Sequence, residues 1–226
     1  MSYTLYHIPD WGSSVIRLML EEIGAPYAIA PLDWDAGDFD SPAFRAVNPL
    51  GLIPAMDTPE GPVFETAAII LWLNARHGGL GPAPTDPSRA AFLSWLMFTS
   101  NTLHPTVMTL IHPDRVAGEA VQAIVQAAAL EHLHEEASQI EAMLTAKDPD
   151  WLSPRRPGAL GYYLGILIRW AIYLPEDPGL RFSLRPFPAL RAVLEAHERF
   201  PAARRVAEAD SLGPTPFTAP REGAIE

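Results

Sequence analysis

The pattern of apolar residues changes its period once along this chain, at the Gly/Pro-rich segment of residues 78–87. Before that segment, short β-rich stretches alternate with helical spacings in the order β-α-β-α-β-β-α. After it, strong helical spacings alone remain, at residues 89–109, 118–146, 159–173 and 188–209. We therefore expect an α/β domain followed by an all-helical domain. The predicted boundaries are residues 1–79 for the first domain, 80–87 for a linker, 88–210 for the second domain and 211–226 for an irregular tail.

Composition narrows the class of protein further. Apolar residues make up 48% of the chain, as in a folded protein with a core, and the formal net charge of −11 argues against a nucleic-acid partner. The chain has no cysteine, which excludes disulfides, thiolate zinc sites and a cysteine nucleophile. The longest apolar runs, such as residues 67–73, are far shorter than the ~20 residues that span a bilayer, and residues 1–10 show no targeting pattern. We expect a soluble, cytoplasmic protein with no membrane partner.

A proline interrupts a stretch that otherwise resembles a strand, in the run NPLGLIPAM at residues 48–56. Proline removes a donor from the hydrogen-bond ladder of a sheet, so it is unusual there. One interpretation is a cis Ile53–Pro54 bond in a tight turn, which would leave the amide and carbonyl of Ile53 free to pair with a bound peptide. The other is an ordinary proline in an edge strand.

A second candidate site is the helix start at Glu65 and Thr66, where we expect Thr66 to be the N-cap. A helix start offers free amide donors and a partial positive charge, which suit a carboxylate ligand. The neighbouring carboxylate of Glu65 suits an ammonium group. Together they match the head group of an α-amino acid, although a plain helix cap with an acidic neighbour explains the same residues.

A third candidate is the run of Trp11, Gly12, Ser13 and Ser14 at the start of the first helix. A hydroxyl and free amides at such a start can stabilise an anion, for example a ligand thiolate. Lowering a thiol pKa from about 8.5 to about 6.5 takes ~2.7 kcal/mol, and one hydrogen bond to a charged group supplies ~1.5–3 kcal/mol. A serine with the helix dipole is therefore sufficient, but these serines are also good caps.

The order and spacing of these motifs resemble the glutathione S-transferase family over most of the chain, and most strongly over residues 5–77. NPLGLIPAM is similar to the NPxGxVPAL loop of that family, and ETAAI at residues 65–69 to its ESxAI motif. The run LYHIP at residues 5–9, the LEE at 20–22 and the stretch WLMFTSNTLH at 95–104 resemble the bacterial beta class. The resemblance implies a thioredoxin-like α/β first domain and an all-α second domain.

The resemblance also implies a function and roles for individual residues. The expected activity is transfer of the glutathione thiolate to a small hydrophobic electrophile by a homodimer, with glutathione as cosubstrate and no other cofactor. Ser13 would be catalytic and assist the thiolate. The implied glutathione contacts are Trp11, Gly12, Leu52, Ile53, Pro54, Glu65 and Thr66, and the implied electrophile pocket is Trp11, Phe98 and His104.

The chain departs from the beta-class pattern at Gly12, where that class carries a cysteine. Mixed-disulfide chemistry by that route is therefore excluded. Ser13 is the first choice for the thiolate partner, with Tyr6, Ser14 or backbone amides as alternatives. Residues 158–161 also lack the capping side chains with which the family often starts its buried helix.

Other functions stay open at this point. A non-catalytic protein that binds glutathione or other ligands is one, and a glutathione-dependent peroxidase, disulfide reductase or isomerase is another. Without a protein thiol, reduction would require two glutathione molecules in one site. His132 and Glu136 share a helix face, but two ligands are too few for a metal site, so we expect a solvated face and no metal.

Overall fold

A computed structural model describes residues 2–220. The first domain contains four strands and three helices, which alternate along the chain as expected. The strands are β1 (Tyr3–His7), β2 (Tyr27–Pro31), β3 (Ala55–Thr58) and β4 (Gly61–Phe64), and the helices are α1 (Ser13–Ile23), α2 (Pro42–Val47) and α3 (Thr66–His77). The strand order is β2-β1-β3-β4, with β1 parallel to β2 and antiparallel to β3, and β3 antiparallel to β4. The predicted thioredoxin-like fold of this domain is confirmed.

The two faces of this sheet enter two different apolar clusters. Leu5 of β1 and Met56 of β3 pack with α1 and α3, whereas Ala55 packs with Phe44 of α2. Because side chains alternate along a strand, α1 and α3 cover one face of the sheet and α2 covers the other.

The strand order determines where the two helix starts lie. The central strand β3 has β1 on one side and β4 on the other, and Ala55 pairs with Tyr6 of β1 and Phe64 of β4. The chain runs from β1 into α1 and from β4 into α3. The residues just before Ala55 therefore lie between the starts of α1 and α3.

The strand expected to begin at Leu52 begins at Ala55. Pro54 cannot donate to the ladder, so pairing with β1 and β4 begins after it. The expected helix boundaries of the first domain agree better with the structure. In α2, Ser41 is the N-cap and its hydroxyl accepts from the Phe44 amide at 3.2 Å, while Pro42 occupies the first helical position.

The second domain is entirely helical among residues 88–220. Its α-helices are α4 (Arg89–Phe98), α5 (His104–Ile111), α6 (Gln122–Lys147), α7 (Ala159–Tyr173), α8 (Pro188–His197) and α9 (Pro201–Ala209). Nearly the whole of α7 is buried, and it packs against α1, α5 and α8. This helix therefore forms the centre of the domain and also contacts the first domain.

Three of the helix boundaries expected here are wrong. The pattern at residues 89–109 is divided by a π-helical turn, Thr99–Leu103. The pattern at 188–209 is two helices, because Pro201 starts a new one. The helix expected from residue 118 starts at Gln122, after a 3₁₀ turn. Glu136 of α6, expected on a solvated face, is buried and accepts from the Thr106 hydroxyl at 2.7 Å.

The linker and the tail are both tied to the second domain. Leu80 of the linker is fully buried, and its carbonyl accepts from the Ala159 amide at 2.8 Å, which replaces part of the missing capping box of α7. In the tail, Phe217 is fully buried and its amide donates to Glu198 at 3.1 Å. The tail has no regular structure up to residue 220, and residues 221–226 of the predicted tail, like residue 1, lie outside the described residues.

Candidate functional site

The loop before β3 presents a free backbone edge at Ile53. The predicted cis Ile53–Pro54 bond is confirmed. The loop is held by Asn48, whose side-chain amide donates to the Leu52 carbonyl at 2.6 Å and whose side-chain oxygen accepts from the Leu50 amide at 3.0 Å. Among the residues that the structure describes, nothing bonds to the amide or the carbonyl of Ile53. This residue can therefore pair with an extended ligand.

Gly12, at the N-cap position of α1, lies directly against this loop. A Cβ added at Gly12 would lie 3.3 Å from the Ile53 carbonyl oxygen and 3.2 Å from Pro54 Cδ. Both distances are tighter than ordinary contact, so a side chain here would crowd the loop. The amides of Gly12 and Ser13 have no described acceptor, since the first bond of the turn is from the Ser14 amide to the Trp11 carbonyl at 2.8 Å.

Both serines at the start of α1, including the expected catalytic Ser13, are bonded to side chains within the protein. Ser13 is fully buried, and its Oγ lies 2.8 Å from Nδ1 of His7. Ser14 is also fully buried, and its hydroxyl donates to Asp210 at 3.5 Å. Neither serine is the N-cap of α1, because that position belongs to Gly12.

The third candidate hydroxyl, that of Tyr6, is also engaged. It donates to the Asp57 carboxylate at 3.0 Å. Burial, assisted by this carboxylate, raises the pKa of Tyr6. All three side-chain hydroxyls that could stabilise a thiolate thus have partners within the protein, and only the backbone amides of α1 remain.

A buried polar cluster behind α1 accounts for the orientation of the serines. Nε2 of His7 lies 3.2 Å from Oδ1 of Asp210, and Arg17 forms an ion pair with the same carboxylate. The Ser13 hydroxyl also lies 3.3 Å from the Ile8 carbonyl oxygen, to which it can donate. Asp210 follows α9, 203 residues from His7, so no local pattern in the sequence indicates this cluster.

A second buried cluster fixes the loop just before Trp11. Asp10 has φ 62, and its carboxylate receives two bonds of 2.8 Å from Arg169 of α7. Trp170 donates to Asp10 Oδ1 at 3.1 Å, and Tyr173 donates to Oδ2. Arg169 also donates to the carbonyl oxygens of Leu212 and Pro216 in the tail, at 3.0 and 3.1 Å. The second domain therefore holds the loop that leads into α1, and sequence reasoning missed this contact.

At the other helix start, Glu65 occupies an unusual backbone conformation. Its φ of 73 and ψ of 126 are rarely adopted by a residue with a side chain. Its side chain is exposed and forms no hydrogen bond or ion pair with any described residue. Non-glycine residues with such backbone angles cluster at ligand sites, so Glu65 is a strong candidate for a ligand contact.

Glu65, and not Thr66 as expected, is the N-cap of α3, and it makes no side-chain cap bond. The first amide of α3 to find a backbone acceptor is that of Ile69, which donates to the Glu65 carbonyl at 3.0 Å. The amides of residues 66–68 have no described acceptor and are available to an anion. Thr66 is buried, and its hydroxyl lies beside that of Tyr163 in α7.

The three residues expected to border the electrophile pocket have different surroundings. Trp11 packs against Phe39 and Trp34 at ring-centre distances of 5.9 and 5.8 Å, and it lines a surface cavity of about 540 Å³ in the first domain. Phe98 packs on Trp95 at 5.2 Å, and His104 lies between Tyr163 and Trp170. Among the described residues, no ring contact joins Trp11 to Phe98 or His104, and the sequence did not indicate the role of Trp34.

Comparisons with known proteins find relatives among the glutathione S-transferases. Residues 1–75 match the family model described as Glutathione S-transferase, N-terminal domain. The chain is 27% identical over 175 residues to Glutathione S-transferase GST-4.5 of Xanthomonas campestris pv. campestris. The match covers 74% of this chain and 81% of that protein. It is 30% identical over 105 residues to Glutathione S-transferase F14 of Arabidopsis thaliana. That match covers 45% of this chain and 41% of the plant protein. The chain thus spans less than half the length of that plant relative.

Solved structures share the fold over nearly the whole chain. A glutathione transferase from Burkholderia graminis, described with two glutathione molecules bound per subunit, matches with a TM-score of 0.79. The two sequences are 24% identical, and the match covers 94% of this chain and 90% of the Burkholderia chain. The expected two-domain architecture of the glutathione transferases is confirmed. Within residues 2–220, no helix is both long and apolar enough to cross a bilayer.

Proposed function

We propose that this chain is a glutathione transferase, since its first 75 residues match the N-terminal domain of that family and its described residues have the family's fold. The observation that carries the proposal is the free backbone edge of Ile53, which lies between the starts of α1 and α3. An extended peptide can pair with this edge through main-chain hydrogen bonds, which are independent of the ligand's side chains.

The two helix starts match the two ends of the cysteinyl-γ-glutamyl part of glutathione. The ammonium group would lie on the Glu65 carboxylate, and the α-carboxylate on the free amides of residues 66–68. The cysteinyl unit would pair with Ile53, with its main chain supported by the Leu52–Pro54 turn. Its sulfur would then lie near Gly12, which packs directly against the Ile53–Pro54 loop.

At Gly12 the thiolate would be stabilised by main-chain groups. The Gly12 amide, which has no described acceptor, would donate to the sulfur, and the α1 dipole would add a partial positive charge. A hydrogen bond to a charged group contributes ~1.5–3 kcal/mol, which is comparable to the ~2.7 kcal/mol needed to lower the thiol pKa by about two units. Ser13 would act indirectly, by fixing the α1 start against His7.

The reaction would be nucleophilic substitution or addition at an electrophilic carbon. The thiol loses its proton to solvent, the sulfur forms the new S–C bond, and in a substitution the leaving group departs with its electron pair. Holding both partners at the domain boundary, near Trp11, Phe98 and His104, would add the benefit of proximity. No cofactor beyond glutathione is needed for these steps.

We also propose a homodimer in the cytoplasm. Trp72 of α3 is half-buried and packs on Tyr3 at a ring-centre distance of 5.6 Å, which leaves part of its surface for a partner subunit. Light scattering on the purified protein tests this directly: a mass near 49 kDa, twice that of the 24.7 kDa chain, supports the dimer, and a monomer mass contradicts it.

One observation favours a second candidate, a non-catalytic glutathione-binding protein. The three candidate hydroxyls, those of Tyr6, Ser13 and Ser14, already have partners within the protein, so the site could bind glutathione without activating it. Turnover of an aryl halide, a peroxide and a mixed disulfide with glutathione separates the alternatives. Conjugation of the halide supports the transferase. Binding without any turnover supports the second candidate, and preferential turnover of the peroxide or disulfide supports a reductase that uses two glutathione molecules.

A further inference from the structure

The surface cavity beside Trp11 is lined by the first domain alone. Its volume of about 540 Å³ lies within the range of small-molecule pockets, ~300–1,000 Å³. The lining residues come from the loop after β1, the end of β2 and the loop that follows it: Ile8, Trp11, Pro31, Leu32, Asp33, Trp34 and Asp38. Neither Phe98 nor His104 is among them, so this cavity is distinct from the surroundings of those two rings.

Two tryptophan rings form an aromatic wall in this cavity. The ring centres of Trp34 and Trp11 are 5.8 Å apart, and Phe39 packs on both, at 5.2 Å from Trp34 and 5.9 Å from Trp11. Phe39 is itself buried in the apolar cluster that contains Phe44 of α2. Trp34 is nevertheless 57% exposed. A large ring that is held in place and still open to solvent can contact a ligand at little entropic cost.

The loop that carries Trp34 is closed by its own hydrogen bonds. The Asp33 amide donates to Oδ2 of Asp38 at 2.8 Å, and Oδ1 of Asp33 accepts from the amides of Asp35 and Ala36 at 2.8 and 3.2 Å. The other carboxylate oxygens, Oδ2 of Asp33 and Oδ1 of Asp38, have no partner among the described residues. Both cavity carboxylates therefore keep one oxygen for a ligand.

The charge around the cavity has one sign. Between Arg17 and Arg45 the sequence has no lysine, arginine or histidine, whereas residues 33–40 contain four aspartates. Asp40 is paired with Arg45 at 2.6 Å, but neither Asp33 nor Asp38 forms an ion pair within the described part of the chain. Charge complementarity therefore favours a cation, and the net charge of −11 attracts cations from a distance.

The aromatic wall and the carboxylates select the same kind of ligand. The face of a tryptophan ring attracts a cation, and the attraction grows as the cation loses water. A metal ion would gain nothing from the apolar side chains of Ile8 and Leu32, and an anion would be repelled by Asp33 and Asp38. We propose that this cavity binds a small organic cation with an apolar body, such as a quaternary ammonium compound. The inference goes beyond the proposed function, because it requires neither glutathione nor the second domain.

Titration calorimetry of the whole chain without glutathione tests the selection by charge. The two probes are phenyltrimethylammonium and benzenesulfonate, which carry opposite charges on the same ring. We expect saturable binding of the cation, about tenfold tighter than any binding of the anion. Equal affinities for the two probes, or no binding of the cation at millimolar concentration, would overturn the proposal. A chain that binds the cation but not glutathione would support this inference while refuting the proposed function.

Variants of Trp34 test the aromatic wall. Trp34→Leu keeps an apolar side chain and removes the ring, so it should weaken phenyltrimethylammonium binding about fivefold. Trp34→Phe keeps an aromatic face and should retain most of the affinity. Because Trp34 is mainly exposed, both variants should fold. If Trp34→Leu binds the cation as the wild type does, the ring does not belong to the site.

A pair of double variants tests the carboxylates. Asp33→Asn with Asp38→Asn removes both charges but keeps an oxygen to accept the loop amides, and it should weaken the cation about tenfold. The matched control, Asp35→Asn with Asp40→Asn, removes two charges from the same loop at positions that do not line the cavity. Its affinity should stay near the wild-type value. Equal losses in the two double variants would show attraction by overall charge alone and would contradict the site.

Discussion

The starts of α1 and α3 flank the same backbone edge, yet they offer a ligand different groups. Each begins with a hydroxyl residue at its first helical position, Ser13 or Thr66. At α1 the hydroxyls contact His7 and Asp210, and the Gly12 amide, which has no described acceptor, is left for a ligand. At α3 the Glu65 carboxylate is exposed at the surface, and Thr66 points toward the second domain. A helix start therefore defines an anion site, and the tertiary partners of its side chains decide what else it recognises.

The difference between the two starts has a physical origin in how each is anchored. Two charged clusters hold the region around α1. In one, Asp10 pairs with Arg169 of the second domain, and in the other, Arg17 of α1 pairs with Asp210, which follows α9. The polar side chains near α1 are therefore already paired within these clusters. At α3, Glu65 has a φ of 73, and its exposed carboxylate has no hydrogen-bond or ion-pair partner among the described residues.

The largest effect is expected from breaking the anchor of α1. Asp10→Asn keeps the size of the side chain and tolerates φ 62, but leaves Arg169 as an uncompensated charge, and both side chains are at most 1% exposed. We expect the free energy of unfolding to fall by ~3–5 kcal/mol in urea denaturation. Asp35→Asn, at an exposed position of the same domain, should have little effect. A loss below ~1 kcal/mol at Asp10 would show that the cluster does not hold the loop.

The next effect concerns the α3 start. Glu65→Gln removes the charge that we place on the ligand ammonium and should weaken glutathione binding by ~2–4 kcal/mol. Calorimetric titration measures this change. Glu60→Gln, which removes another exposed carboxylate of the same domain, serves as the control for net charge. Equal affinities for the wild type and Glu65→Gln would remove Glu65 from the site.

Ser13→Ala tests the other helix start. Without the hydroxyl, Nδ1 of His7 is buried with no partner, so stability should fall by ~1–3 kcal/mol. The ultraviolet absorbance of the thiolate of bound glutathione should stay near the wild-type value, because main-chain amides provide the stabilisation. A marked loss of that absorbance at neutral pH would restore Ser13 as the thiolate partner and erase the contrast with α3.

The smallest effect is a pH dependence that arises away from both helix starts. His197 is fully buried, donates from Nδ1 to the Val193 carbonyl at 2.9 Å, and burial lowers its pKa from 6.5 to about 4. The unfolded chain therefore binds a proton below pH 6.5 that the folded chain does not, so stability falls as the pH falls toward 4. Between pH 7 and 5.5 we expect a loss of ~1 kcal/mol from this group.

Thermal or urea unfolding at both pH values measures that loss, and His197→Gln should remove part of it. Since His197 contacts neither helix start, the variant should leave glutathione affinity unchanged at either pH. A change in affinity would mean that the two helix starts are coupled to the distant part of the second domain.

The sequence predicted best the features that depend on neighbouring residues. The bounds of α3 and α7, the Gly24 cap of α1 and the Ile53–Pro54 turn follow from local periodicity, capping and proline chemistry. The orientation of Ser13 does not follow from such local patterns, because it depends on Asp210, which lies at the far end of the chain. The Asp10–Arg169 pair joins residues 159 positions apart, and no spacing rule links them.

The central claim is that glutathione lies along the Ile53 edge with its head group at α3 and its sulfur at α1. Titration of the wild-type chain with glutathione in a calorimeter tests it most directly. The account predicts saturable heat with one tripeptide bound at this edge per chain, and loss of that heat in Gly12→Val, whose side chain would crowd the Ile53–Pro54 loop with which the cysteinyl unit pairs. No heat and no saturation at millimolar glutathione would contradict it.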